Sequence, residues 1–198
     1  MHIWSRLTLL FCLCLVLIGV FGSPVQSRGD VLSFANGHFT KCRVPLEHPT
    51  LYVSIQGTPY AKPLERALQK KARELDFTLT SQPSSADCIL QATLVFGGIA
   101  DESALREAVD RGYDEKSSIG GTKNFGVVAD LLLVIREVPV AKDDTQLMLK
   151  NISQRLTLSS STMRIGFCAK NRENTLTDPF VHRFSEIVLS HMTQALER

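Results

Sequence analysis

The chain lacks a surplus of charge of either sign. Its 198 residues carry 22 Lys and Arg against 20 Asp and Glu, a formal net charge of +2. Nucleic-acid-binding domains concentrate Lys and Arg on one face, so this composition argues against a nucleic-acid partner. No internal repeat and no low-complexity segment is present, and the length suits one globular domain with a core of its own.

The patterns of a catalytic or metal site are missing as well. Ser159–Thr162 lacks the G-x-S-x-G context of a nucleophile elbow, and Gly120-Gly121 has too few glycines to hold a phosphate. Asp143-Asp144 and the acidic residues of Asp101–Glu107 are typical of solvated charges. The sequence therefore predicts a protein that is not an enzyme and has no catalytic residue and no cofactor.

Histidine and cysteine do not combine into a metal site either. His38, Cys42 and His48 match no common zinc spacing, and no fourth ligand is close in sequence. His182 and His191 are nine residues apart on one predicted helix, largely on different faces. We predict no metal, and we expect these histidines at the surface or at an edge.

The cysteines favour buried thiols over a disulfide framework. Cys42, Cys88 and Cys168 follow the N-terminal segment, and an odd number leaves one thiol without a partner in an oxidising compartment. Cys88 and Cys168 lie on predicted strands, where cysteine is a small apolar residue. The alternative is a disulfide between Cys42 and one of the other two, and the sequence does not choose between them.

One long apolar run is present, at the N-terminus. It covers Leu7–Phe21 after Arg6, and Val25-Gln26-Ser27 precedes a cleavage position. Such an order is typical of a signal peptide, so we predict one at residues 1–27, with an uncleaved N-terminal anchor as the alternative. Both interpretations predict export. An extended N-terminal arm is expected at residues 28–49, with a short strand at Val31–Phe34, and the core domain at residues 50–198.

Periodicity then alternates between strands and helices. Leu51, Val53 and Ile55 point one way in a strand over Thr50–Gly57, because alternate residues share a face. Pro63 suits the first position of an amphipathic helix with an apolar face from Leu64 to Leu75. The remaining predicted elements are strands at Phe77–Ser81, Cys88–Gly97, Phe125–Val138 and Gln154–Ala169 and helices at Asp101–Arg111 and from Thr177 or Asp178 onward.

Three details complete the predicted fold. Gly112 is expected to cap the short helix. Gln154–Ala169 is either one strand or a pair with a turn at Ser159–Ser161, and Thr177 or Asp178 is expected to cap the last helix. The order predicts a single α+β domain, with a mainly antiparallel or mixed sheet packed by two amphipathic helices and a short helix.

Two stretches carry a resemblance to a known family. They are ADCILQATLV (Ala86–Val95) and LREAVDRGY (Leu105–Tyr113), supported by the strand ADLLLVIREVP (Ala129–Pro139) and the last helix. Their order resembles the TraT family of plasmid-encoded surface-exclusion and complement-resistance proteins of Gram-negative outer membranes. The resemblance covers Thr50 to the C-terminus. It implies a non-enzymatic exported protein that forms homo-oligomers and contacts other proteins at the outer membrane.

Two membrane features of that family have no counterpart here. Cys12 and Cys14 follow Phe11 and Leu13 rather than the small residue of a lipoprotein signal. Polar residues (Asp114–Lys123) stand where the family has a long Ala/Gly-rich insertion. Membrane association is therefore left open. The alternative function is a soluble periplasmic module that assists outer-membrane assembly or transport, docking on an envelope protein through Asp114–Lys123.

Overall fold

A computed structural model describes residues 31–43, 48–111, 119–137, 157–170 and 174–197. The predicted signal peptide lies outside these residues, as do the Gly112 cap, Asp143-Asp144 and the first half of the Asp114–Lys123 segment. Eight strands and three α-helices are found in the described part. They are β1 (Val31–Asn36), β2 (Cys42–Arg43), β3 (Thr50–Gln56), α1 (Ala61–Glu74), β4 (Thr78–Leu79), β5 (Cys88–Ala100), α2 (Glu102–Arg111), β6 (Asn124–Glu137), β7 (Thr157–Ala169), α3 (Asp178–Ala195) and β8 (Leu196–Glu197).

Six strands form one mixed sheet in the order β1-β7-β6-β5-β3-β4. The β3–β4 and β3–β5 pairs are parallel, whereas β5–β6, β6–β7 and β1–β7 are antiparallel. Helix α1 supplies the crossover that a parallel neighbour of β3 requires. The short strands β2 and β8 form a separate parallel pair. The predicted α+β class is confirmed.

Helices α1 and α3 pack over one side of this sheet, which we call the closed face. Leu51, Val53 and Ile55 of β3 are buried there, as their alternation predicts. Helix α1 contributes Leu64, Leu68 and Ala72, each fully buried. Phe125, Phe167, Phe180 and Phe184 join the same core through edge-on or tilted ring contacts, which have centroid separations of 5.0–6.1 Å. Burial of these large apolar side chains is the main stabilising term.

Several predicted boundaries move. Helix α1 begins at Ala61, so Pro63 is its third residue rather than its first. The position is still compatible with proline, because the first N–H groups of a helix have no intrahelical acceptor. Thr177 is the N-cap of α3 but makes no side-chain capping hydrogen bond. Of the two predicted capping residues, Thr177 thus occupies the N-cap position, but without a capping side chain, and Pro179 lies in the first turn.

Three strands also differ from their predicted limits, because pairing with neighbouring strands decides where each one begins and ends. Ser159–Ser161 continues β7 without a turn, because each serine pairs with β6 across the ladder. Strand β5 runs on to Ala100 past an irregularity between Leu94 and Phe96, and β4 keeps only Thr78–Leu79. Strand β1 belongs to the main sheet, so the compact unit spans Val31–Arg198 and includes most of the predicted arm.

Candidate interaction face

On the second side of the sheet, the described helices cover only one half. Helix α2 lies over one end of it, where Leu105 and Val109 pack against Phe34, Val128 and Cys168. Two glycines make this close approach possible. A Cβ at Gly126 would collide with the Leu105 side chain, and a Cβ at Gly166 would lie 2.7 Å from Val109 Cγ2. Side chains any larger would push α2 away from the sheet.

The C-terminal end of α2 is held by side chains from two strands. Asn36 Nδ2 donates to the carbonyl oxygens of Val109 at 3.2 Å and Asp110 at 3.0 Å. Arg164 Nη1 donates to the carbonyl oxygen of Ala108 at 3.3 Å. These donors satisfy carbonyl groups that have no partner within the helix. Helix α2 therefore ends at a defined place above the sheet.

Arg164 also forms a bidentate ion pair with Asp130. Its Nε lies 2.5 Å from Oδ1 and its Nη2 lies 2.7 Å from Oδ2. The two residues are direct neighbours across the β6–β7 ladder. The hydrogen bond to Asp130 raises the pKa of the Arg164 guanidinium. Because each charge satisfies the other, this pair is better suited to positioning α2 than to binding an ion.

Beyond α2, no described helix covers the sheet. We call this half the open face, and its side chains come from alternate positions of four strands. It is bordered on the α2 side by a groove with a volume of about 730 Å³. Gln91, Thr93, Leu132 and Thr162 of this face line the groove, whereas Ile89, Val134 and Leu158 do not. The open face comprises Tyr52, Ser54, Ile89, Gln91, Thr93, Leu132, Val134, Leu158, Ser160 and Thr162.

The apolar part of the open face is unusually accessible. Leu158 is 62% exposed and is one of two large apolar side chains exposed in the described part of the chain. Ile89, Leu132 and Val134 are half-buried. Single exposed apolar residues are common, but a contiguous group marks a contact surface. The sequence does indicate this second side of β5, because Ile89, Gln91 and Thr93 alternate with the buried residues of the strand, but the alternation alone does not assign it a function.

The two edges of the sheet are protected to different degrees. Strand β4 pairs only with Thr50 and Leu51, so the rest of β3 forms the edge beyond it, which we call the β3 edge. There Glu65 Oε2 accepts a hydrogen bond from the Ile55 N–H at 2.8 Å. At the opposite edge, β1 pairs only with β7, and no described strand pairs with its outer side. Charged residues, proline and bulges protect edge strands from pairing with other chains. Strand β1 (VLSFAN) contains none of them.

The three described cysteines are buried and form no disulfide, which agrees with the prediction of buried thiols. Cys42 Sγ lies 3.1 Å from Ser159 Oγ, to which it donates a hydrogen bond. Burial raises the pKa of Cys88 to about 12, with smaller contributions from Asp87 and Cys42. Burial likewise raises the pKa of Cys168 to about 11. Thiols of this kind are poor nucleophiles at neutral pH.

The histidine and cysteine side chains considered above as metal ligands do not form a common site. His38 and His48 are exposed, whereas Cys42 is buried. His191 is half-buried on α3, and desolvation lowers its pKa. Among the described residues, no three His, Cys, Asp or Glu side chains are placed to hold a metal ion. No helix in the same part of the chain is long and apolar enough to cross a membrane.

Fold and surface thus define an α+β domain with a mixed sheet, whose one side is covered by α1 and α3 and whose other side is half covered by α2 among the described elements. No protein-family model matches the chain, and no curated protein matches it significantly. Among solved structures, it is similar to a PelC dodecamer from Paraburkholderia phytofirmans at 11% identity and a TM-score of 0.39. That alignment covers 82% of this chain and 96% of the other.

A second similar structure is a DUF4136 family protein from Bacteroides thetaiotaomicron. It is 12% identical, with a TM-score of 0.34, and the alignment covers 83% of this chain and 95% of the other. Identities and TM-scores at this level carry no inference about what this chain binds or how it assembles.

Proposed function

We propose that this is a non-enzymatic, exported protein of a Gram-negative cell envelope that acts through protein–protein contact. The observation that carries this proposal is the open face, which no described helix covers and which presents Leu158 and half-buried apolar neighbours beside polar side chains. Interfaces commonly combine an apolar centre with a polar rim. The arrangement suits a broad contact better than a small-molecule site, which is normally concave and enclosed.

The role proposed is the one that the TraT resemblance implies, namely surface exclusion during conjugation or resistance to complement. The protein would occlude or bind a component at the outer membrane as a homo-oligomer, with no bond made or broken. ADCILQATLV supplies the first eight residues of β5, which contribute Ile89, Gln91 and Thr93 to the open face. The stretch that carries the resemblance therefore also builds the proposed contact surface.

The test measures surface exclusion and resistance to serum in cells that produce the full chain. A recipient strain is mated with a plasmid donor, and the same strain is exposed to serum. We expect fewer transconjugants or better serum survival than in cells without the protein. Leu158→Lys should abolish the effect, because a buried charge in a contact costs much of its binding energy. Gln194→Lys, which adds the same charge at an exposed position of α3, should leave it intact.

Two results would count against the proposal. One is the absence of both phenotypes in cells that contain abundant protein in the outer-membrane fraction. The other is a Leu158→Lys protein that acts like the wild type, because the open face would then not be the contact surface. Release of the protein by osmotic shock would instead favour the alternative, a soluble periplasmic module in outer-membrane assembly or transport.

A further inference from the structure

The outer edge of β1 has the features of a strand that pairs with a second strand. It is six residues long and pairs with β7 on one side only within the described part of the chain. Leu32, Ser33 and Ala35 are all exposed. An edge of this length without a charge or a proline is a template for β-pairing. The β3 edge differs, because Glu65 occupies the Ile55 N–H there.

We propose that β1 pairs antiparallel with β1 of a second copy of this chain, about a two-fold axis at Ser33. This proposal rests on the homo-oligomer of the proposed function and names its interface. In this register Ser33 faces Ser33 of the partner subunit, and Leu32 faces the partner subunit's Phe34. The result is one continuous sheet of twelve strands in which the two open faces lie on the same side.

Side chains favour this register over its neighbour. Leu32 is 37% exposed, and it lies on the same side of the sheet as Phe34, because alternate residues share a side. Pairing centred on Ser33 places Leu32 beside the partner subunit's Phe34, a residue of the apolar cluster under α2, so that Leu32 gains an apolar neighbour. A centre at Phe34 would instead place Leu32 against Asn36, whose amide already holds the end of α2. On the opposite side of the sheet, Ser33 meets only the partner subunit's Ser33, a small side chain that it can face without a clash.

Charges at the junction are also complementary. Arg106 of α2 lies over the Phe34 ring, with its Cζ 4.7 Å from the ring centroid. The same guanidinium pairs with Glu102 through Nη2 and Oε1 at 3.2 Å. The two-fold axis makes the α2 helices of the two copies antiparallel. In this arrangement Arg106 of one copy lies towards Glu102 of the partner subunit, and Glu102 lies towards the partner subunit's Arg106, so that opposite charges can meet.

The area involved predicts a reversible dimer. A pair of six-residue strands is about 20 Å long and buries much less than the roughly 800 Å² per partner of a stable interface. Self-association should therefore depend on protein concentration. Sedimentation equilibrium of the full chain, as purified from the cell envelope, would detect a dimer at high concentration and monomer on dilution.

Charge substitution at the axis tests the register. Ser33→Lys should weaken dimerisation at least tenfold, and Ser33→Glu should do the same, because each places like charges opposite each other. An equal mixture of the two variants should recover the dimer, because opposite charges then meet. Ser33 is exposed, so both variants should keep the wild-type melting temperature, which circular dichroism would check.

Cross-linking gives an independent test. Ser33→Cys should form an intermolecular disulfide in the presence of oxidised glutathione, because directly opposed residues have Cβ atoms about 5 Å apart. Ala35→Cys should not, because Ala35 faces Val31 of the partner subunit. A wild-type chain that stays monomeric at every concentration would overturn the proposal, including the case in which its own residues 1–30 cover β1. Undiminished dimerisation of Ser33→Lys would overturn it too.

The outcome for β1 can be separated from that for the proposed function. A Ser33→Lys chain that is monomeric yet still causes surface exclusion or serum survival would remove the dimer from the mechanism without removing the contact role. A wild-type dimer in cells that show neither phenotype would support the interface and reject the role.

Discussion

The ion pair between Arg164 and Asp130 makes the sharpest prediction about stability. Replacement of Arg164 by Met keeps the apolar stem and removes three hydrogen bonds: two to Asp130 and one to the Ala108 carbonyl group. The Asp130 side chain is 43% exposed and the Arg164 side chain is 20% exposed. The pair therefore lies between an exposed salt bridge, worth up to about 1 kcal/mol, and a buried charged hydrogen bond, worth about 1.5–3 kcal/mol.

We expect the pair to contribute about 1 kcal/mol and the bond to Ala108 about another 1 kcal/mol. Arg164→Met should thus lower the free energy of unfolding by about 2 kcal/mol, which corresponds to roughly 4–8 °C in a domain of this size. A double-mutant cycle with Asp130→Asn, followed by urea unfolding, should give a coupling energy of about 1 kcal/mol.

Arg136→Met provides the matched control. Among the described residues, the Arg136 side chain makes one exposed hydrogen bond, from Nη2 to the Pro83 carbonyl oxygen at 3.1 Å, so its loss should cost less than about 1 kcal/mol. A coupling energy near zero, or an Arg164→Met protein as stable as the wild type, would refute the view that this pair fixes α2 above the sheet.

Three further predictions concern the core and its titrating groups. Cys88 and Cys168 should react with Ellman's reagent at pH 8 only after unfolding in urea, because burial raises the pKa of Cys88 to about 12 and that of Cys168 to about 11. Rapid reaction of the native protein would contradict this prediction. Gly126→Ala should destabilise the protein by about 1–3 kcal/mol, because the added methyl group collides with Leu105, and an unchanged urea midpoint would be inconsistent with close packing of α2. His191 has a lowered pKa in the folded state. Its contribution to stability is therefore complete above its unfolded pKa of about 6.5 and declines as the pH falls towards the folded pKa. His191→Gln should flatten the dependence of melting temperature on pH between 7 and 5, and an unchanged slope would exclude this role.

The sequence predicts the closed face well because burial leaves a periodic signal. Alternation in Leu51, Val53 and Ile55 identified β3 and its buried side, and the three- and four-residue spacing in α1 identified its apolar stripe. Both signals arise from contact with one continuous core. The class of fold follows from the order of such elements, which explains why it could be predicted without any motif.

Boundaries and the pairing of β1 could not be predicted in this way. The run of serines at Ser159–Ser161 has the composition of a turn, yet hydrogen bonds to β6 hold it in a strand. Long-range pairing thus overrides local preference. Strand β1 reaches β7 over more than 120 intervening residues, and no local pattern records such a partner.

The open face was missed for a different reason. Its residues alternate with buried ones in the same strands, so the sequence shows a two-sided strand whether or not a helix covers the second side. Only the position of α2, fixed by Gly126, Gly166 and the Arg164–Asp130 pair, reveals which half of the sheet no described helix covers. Position within the fold, rather than residue type, makes Leu158 a candidate contact residue.

The most direct test of the central claim is whether a protein surface covers the open face in the cell. Thr93→Cys places a thiol on that face and Gln194→Cys places one on α3, both at exposed positions, while the described native cysteines are buried. A small maleimide should label both substituted thiols in the purified protein diluted to monomer. In intact envelopes we predict that Thr93→Cys is protected and Gln194→Cys is labelled as before. Equal labelling of the two variants in envelopes would contradict the claim that the open face is a protein-binding surface.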